Sequence, residues 1–155
     1  MYNGDELKLA PGKETDRAAW ASATASLLED HDFESLDIAA LAEEMRLLSA
    51  ADFHELQSRL RVLIMHLLKW AYQPEKRSRS WLSTILTQRF EIATLVKQSP
   101  SLWTRLQAED LEQIWEQAAN LAATETGIDI EKFPSKCSWD LKAEILLSGW
   151  LPSKD

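Results

Sequence analysis

The stretch DFHELQSRLRVLIMHLLKWAYQ, residues 52–73, is apolar on two sides of a helix. At helical spacing Phe53, Leu56, Leu60, Leu63, Ile64, Leu67, Trp70 and Ala71 share one broad face, while Met65, Leu68 and Tyr72 lie on the other. A helix that is apolar all round has to be covered all round, so this spacing predicts a central helix over about 52–72 inside an all-α bundle. Asp52 with Glu55 three residues on has the form of an N-cap with its capping box, and Pro74 cannot continue the helix. Between the apolar faces runs a polar seam of Arg59, His66 and Gln73, with Lys69 beside it.

Outward from this helix the chain is poor in breakers. No glycine occurs between Gly12 and Gly127, and only Pro74 and Pro100 interrupt that stretch, so helix and short turns should fill it. A first helix is expected from Asp16, as N-cap, to Glu29, burying Trp20, Thr24, Leu27 and Leu28. A second, about 37–48, puts Ile38, Leu41, Met45 and Leu48 on one face with Asp37 and Glu44 at its edge. Beyond the basic turn PEKRS, a helix over about 79–98 presents Trp81, Ile85, Ile92, Leu95 and Val96, with Gln88 amid that face and Arg89 at its edge. A short helix follows Ser99-Pro100, and another starts at Asp110 and stops at Gly127. IDIEKFP alternates like an extended strip but has no partner strand, and a last helix is expected over about 139–148. The reading is a loose arm at 1–14 and a single domain of six or seven helices at 15–152.

With 155 residues, 45% of them hydrophobic, and seven tryptophans, the chain can bury a core without staples. The lone Cys137 excludes an internal disulfide and a multi-cysteine metal site. Arg61 and Lys69 bracket the longest apolar run, and MYNGDELKLAPGKE lacks the apolar core of a signal peptide. A soluble cytoplasmic protein is expected. Net charge is −8 but unevenly placed. Residues 59–89 carry seven Lys or Arg against one acid, whereas residues 29–44 carry seven acids and no Lys or Arg.

By now the residues resemble a known family. LRVLIMHLLKWAYQPEKRSRSW at 60–81, Gln88-Arg89, SPSL at 99–102, an Ala-rich helix ending Glu125-Thr126 and FPxxC at 133–137 are similar to Domain of Unknown Function family 29, as are Asp16 with Trp20 and Ala42-Glu43-Glu44. The resemblance covers about residues 16–152 and implies a small, helical, mostly bacterial protein with no assigned activity, so it carries no catalytic residues over. Two places depart from it: only Tyr2 precedes the first helix where a nearby tyrosine is expected, and Ser138-Trp139 stands in place of a proline and an aromatic.

No GxxxxGK[ST], GxGxxG, GxSxG, CxxC or HExxH occurs, and no histidine follows a glutamate at the spacing of a bundle metal site, so neither metal nor cofactor is expected. Two constellations remain. If the chain folds back around residue 50 and again around Glu75, Arg89 stands level with Asp37; the expectation is Arg89 paired with Asp37 or Glu44, and His66 held by Glu34, Asp32 or Gln88. Such a cluster is either a register-setting ion pair or a small-anion site, in which His66 would carry protons and Arg89 clamp the anion. The basic turn supplies Lys69, Lys76, Arg77 and Arg79 interleaved with Trp70, Tyr72 and Trp81, the composition of a single-stranded nucleic-acid groove and equally of a solvated loop. A pI near 4.9 counts against nucleic acid, and the favoured reading is a non-catalytic interaction protein whose protein partner sees either the acidic first hairpin or the basic turn. An RNA or DNA module on the basic turn, or an enzyme on His66, Gln88 and Arg89, are the alternatives.

Overall fold

A computed structural model describes residues 11–153; Tyr2 and residues 1–10 of the loose arm expected at 1–14 lie outside it, while Lys13, within that arm, bonds Glu43 at 2.6 Å. Helices α1 (Arg17–Glu29), α2 (Ile38–Tyr72), α3 (Arg79–Gln98), α4 (Leu102–Arg105) and α5 (Ala108–Thr126) account for most of the described chain, and no strand occurs among the described residues. The fold is all-α, with α2 as its central helix. Contacts cluster into two compact units, residues 1–49 and 50–155, and α2 contributes to both.

The main correction concerns α2. Its 35 residues run unbroken from Ile38, so the separate helices expected at 37–48 and 52–72 are one, and no hairpin forms around residue 50. The reason is local. Ser49-Ala50-Ala51 offers no glycine or proline, and alanine is the strongest helix former, so the helix continues through the apparent capping box. The Asp52 carboxylate instead accepts a hydrogen bond from Ser99 Oγ at 2.9 Å, at the far end of α3. The cap of α2 is Asp37, whose Oδ1 accepts from Ala40 N at 2.9 Å.

In the first unit α1 starts at Asp16, which accepts from Ala19 N at 3.0 Å, and buries Trp20 and Thr24. Leu28 is exposed rather than buried, as are Ile38, Met45 and Leu48, with Leu41 half-buried. The separate helix that would fold back at residue 50 to cover this face does not form, because α2 continues through it. The buried side of this part of α2 is that of Glu44.

In the second unit Leu56, Leu60, Leu63, Ile64, Leu67 and Leu68 of α2 are wholly buried, as an all-round apolar helix requires. The turn at 74–76 reverses the chain: Arg59 reaches Gln88 at 3.4 Å and Glu91 at 3.6 Å, so α3 lies antiparallel to α2 as expected. The short α4 leads into α5, which runs parallel to α2: Arg61 bonds Gln117, Lys69 bonds Glu125 and Gln73 bonds the Thr126 carbonyl. Asp110 sits three residues inside α5 rather than capping it; its Oδ2 accepts from Gln107 N at 2.9 Å, and Gln107 is the cap. Gly127, at φ 73°, ends α5 in the left-handed conformation that favours glycine.

The tail is tighter than expected. IDIEKFP holds a single 3-10 turn at Ile130–Lys132, and the helix expected over 139–148 is one π-helical turn, Leu141–Ile145, capped by Asp140. Aromatic edges fix this strip to the core: Trp115 meets Trp139 at 5.0 Å, Trp139 meets Trp150 at 5.4 Å and Tyr72 meets Phe133 at 4.9 Å. Trp115 Nε1 also donates to the Pro134 carbonyl at 2.8 Å.

Candidate functional site

The expected cluster of Asp37, Glu44, His66, Gln88 and Arg89 does not assemble, because each side chain has a different partner. Asp37 caps α2. Glu44, buried in the first unit, accepts from Arg17 Nε at 3.0 Å and from its Nη2, with Lys13 Nζ 3.7 Å away. The Arg17 guanidinium holds the Glu44 carboxyl below its ordinary range, against the opposing effect of burial. Glu44 Oε2 has no hydrogen-bond donor among the described residues.

Arg89 is buried as the sequence suggested, yet it meets no carboxylate. Its Nε donates to the Ile145 carbonyl at 2.9 Å and its Nη2 to the Trp150 carbonyl at 2.8 Å, so it fastens the C-terminal strip to α3. Desolvation moves its pKa downward. Gln88 accepts from Arg59. His66 bonds its own helix, Nδ1 to the Val62 carbonyl at 2.9 Å, instead of Glu34, Asp32 or Gln88. Burial lowers its pKa, which keeps the imidazole neutral. No sequence signal distinguishes a backbone carbonyl from a carboxylate as the partner of a buried arginine.

The basic turn is partly committed to the fold. Lys69 is buried, with Nζ 2.5 Å from Glu125 and 4.6 Å from the centre of the Trp81 ring. Arg77 donates from Nε to the Trp70 carbonyl at 2.8 Å and lies 5.1 Å from that residue's ring. Lys76 and Arg79 are exposed.

Open grooves occur in the second unit: one of about 560 Å³ bordered by Trp115, Ala119, Asn120, Ile130 and Phe133, and a polar one of about 350 Å³ bordered by His54, Arg61, Gln113 and Gln117. Arg61 in the latter already bonds Gln117 at 3.0 Å. Among the described residues, no three His, Cys, Asp or Glu side chains gather where they would hold a metal ion. No described helix is long and apolar enough to cross a membrane.

The feature that the sequence pattern contained without revealing its exposure is the α2 face in the first unit. Ile38 is 59% exposed, and Met45 and Leu48 are each 52% exposed. Their spacing with Leu41, three and four residues by turns, is the a/d pattern of a helix that pairs with another helix. Phe33, in the turn before α2, is 58% exposed and adds to the apolar surface.

The sequence profile of DUF29, described as a domain of unknown function, matches residues 13–151. The chain belongs to that family, as the resemblance of its HLLKW and RSW strings implied. No curated protein and no solved structure matches the chain.

Proposed function

We propose that this is a non-catalytic, cytoplasmic protein-interaction protein of bacterial type whose first unit makes the contact. The observation that carries this reading is the a/d face on which Ile38, Met45 and Leu48 are exposed, with Leu41 half-buried between them. Covering such a face would finish burying Ile38, Met45 and Leu48, which are just over half exposed, each adding about 1 kcal/mol. Site chemistry supports the reading from the other side: His66, Gln88 and Arg89 each satisfy a structural neighbour, so these three do not form the acid–base site the sequence offered for them. The commitment of Lys69 and Arg77 to Glu125, Trp81 and Trp70 likewise favours a protein partner over a nucleic-acid groove. A half-buried, unpaired cysteine suits a reducing compartment.

The test is affinity capture from native lysate with the natural chain and with Met45→Glu/Leu48→Glu. A partner held by the natural chain and lost from the variant supports the proposal. Identical captured proteins in both would overturn it.

A further inference from the structure

The same face also carries information about what covers it, and this inference rests on the interaction reading above. We propose that the occupant is a cationic amphipathic helix of another protein, laid along α2 from Ile38 to Leu48 as a short two-stranded coil. In heptad terms Ile38 and Met45 take the a positions and Leu41 and Leu48 the d positions; of the flanking g positions, Asp37 is exposed, while Glu44 is buried in the first unit against Arg17. The g position open to a partner, Asp37, is therefore acidic. The e positions, Ala42 and Ser49, are small and uncharged, so they add no competing charge.

The turn that leads into the face has the same sign, whereas Arg46 is, among the described residues, the one cation exposed on this part of α2. Residues 29–44 hold seven acids and no Lys or Arg, and Glu29, Asp30, Asp32, Glu34 and Asp37 are all exposed in or beside the turn that leads into the face. A second copy of this chain would bring two such blocks together, within a molecule of net charge −8. An anionic membrane or nucleic acid meets the same repulsion. A helix with Lys or Arg flanking its apolar seam neutralises the block and covers the seam at once, and such flanking charges are what set partner choice in paired helices. The seam is two heptads long, so the partner needs only about three to four helical turns. A segment that short is marginal as a free helix, and it either belongs to a folded protein or orders on binding.

The probe is a fluorescein-labelled 21-residue peptide with leucine at a and d and lysine at e and g, compared by anisotropy with a twin carrying glutamate at e and g. The full chain is tested as the natural protein, as Met45→Glu/Leu48→Glu, and as Leu47→Glu. Leu47 is on the same helix and 50% exposed but lies outside the seam, so it controls for added charge. All three substituted side chains already stand in water, and circular dichroism checks that helix content is kept.

The expected result is binding of the lysine peptide at least tenfold tighter than the glutamate peptide. Met45→Glu/Leu48→Glu should weaken it at least tenfold, a loss of about 1.4 kcal/mol or more, while Leu47→Glu leaves it within about twofold. Equal or tighter binding by the Met45→Glu/Leu48→Glu variant would mean that charge alone attracts the peptide, and overturns the inference. If the lysine peptide does not bind and the natural chain sediments as a dimer that the double substitution splits, a second copy is the occupant. The cationic-helix inference then fails while the interaction reading stands. The same division holds if the peptide does not bind, the chain is monomeric and lysate capture still depends on Met45 and Leu48. Failure of both peptide binding and seam-dependent capture removes both.

Discussion

Replacing Arg89 by methionine should loosen the C-terminal strip more than any other single polar substitution in the second unit. The guanidinium gives two charge-assisted hydrogen bonds, to Ile145 O at 2.9 Å and Trp150 O at 2.8 Å, while being only 8% exposed. Bonds from a charged donor contribute about 1.5–3 kcal/mol each. Methionine fills most of the same volume but strands both carbonyls, so a total near 3 kcal/mol is expected, below simple doubling because the two bonds share one side chain. At about 2–4 °C per kcal/mol for a chain of this size, the melting temperature should drop by about 6–12 °C. Urea unfolding followed by far-ultraviolet circular dichroism gives the free energy. Tryptophan fluorescence gives the local effect, because Trp139 and Trp150 meet edge to face at 5.4 Å and Trp150 carries one of the clamped carbonyls. Arg89→Lys should recover less than half of the loss, since an ammonium is a point donor and cannot span two divergent carbonyls as the planar fork does. A loss below about 1 kcal/mol for Arg89→Met, with unchanged fluorescence, would refute the clamp.

Three further outcomes are expected. The Lys69–Glu125 pair is lopsided, with side chains 9% and 47% exposed. Glu125→Ala leaves a buried ammonium behind and should cost about 2 kcal/mol, whereas Lys69→Met leaves only a wet carboxylate and should cost about 1 kcal/mol; urea midpoints showing the reverse order would contradict the assigned burial. His66 has a folded pKa below the unfolded value near 6.5, so its contribution is complete above pH 6.5 and is lost as pH falls below it toward the folded pKa. Stability should therefore decline from pH 7 to pH 5.5 by at most about 1.4 kcal/mol per pH unit, and His66→Gln should flatten that segment of the profile. Cys137 has its thiol pKa pushed up by burial and donates to the Trp139 carbonyl at 3.3 Å, so alkylation at pH 8 should be markedly slower than for a free thiol, and rates matching glutathione would contradict this.

Much of this architecture was legible because it is written in periodicity and in breakers. The all-round apolar run from Leu56 to Leu68, the reversal at Pro74, the Asp16 cap and the Gly127 stop each need only residues within a few positions. What was not legible depends on residues far away. Asp52 and Glu55 have the spacing of a capping box, yet whether Asp52 caps or continues a helix depends on Ala50 and Ala51 before it and on Ser99, 47 residues later. That one misplaced break folded the Ile38 face against 52–72 and brought Arg89 level with Asp37 on paper. Arg89's real partners are main-chain carbonyls, which every residue carries and which therefore leave no pattern. Periodicity identified Ile38, Leu41, Met45 and Leu48 as one face; it contains nothing about whether that face is covered.

The exposure of that face is the claim on which the functional proposal rests, and thiol accessibility tests it directly. Met45→Cys on a Cys137→Ser background is treated with an aromatic disulfide reagent, beside Ser22→Cys on exposed α1 surface and Thr24→Cys on its buried face. A rate at Cys-substituted position 45 that matches position 22 is the expected result, with slowing when the lysine-flanked peptide is added. A rate as slow as position 24 in the protein alone would mean that the chain already covers this face, and the proposed docking surface would be gone.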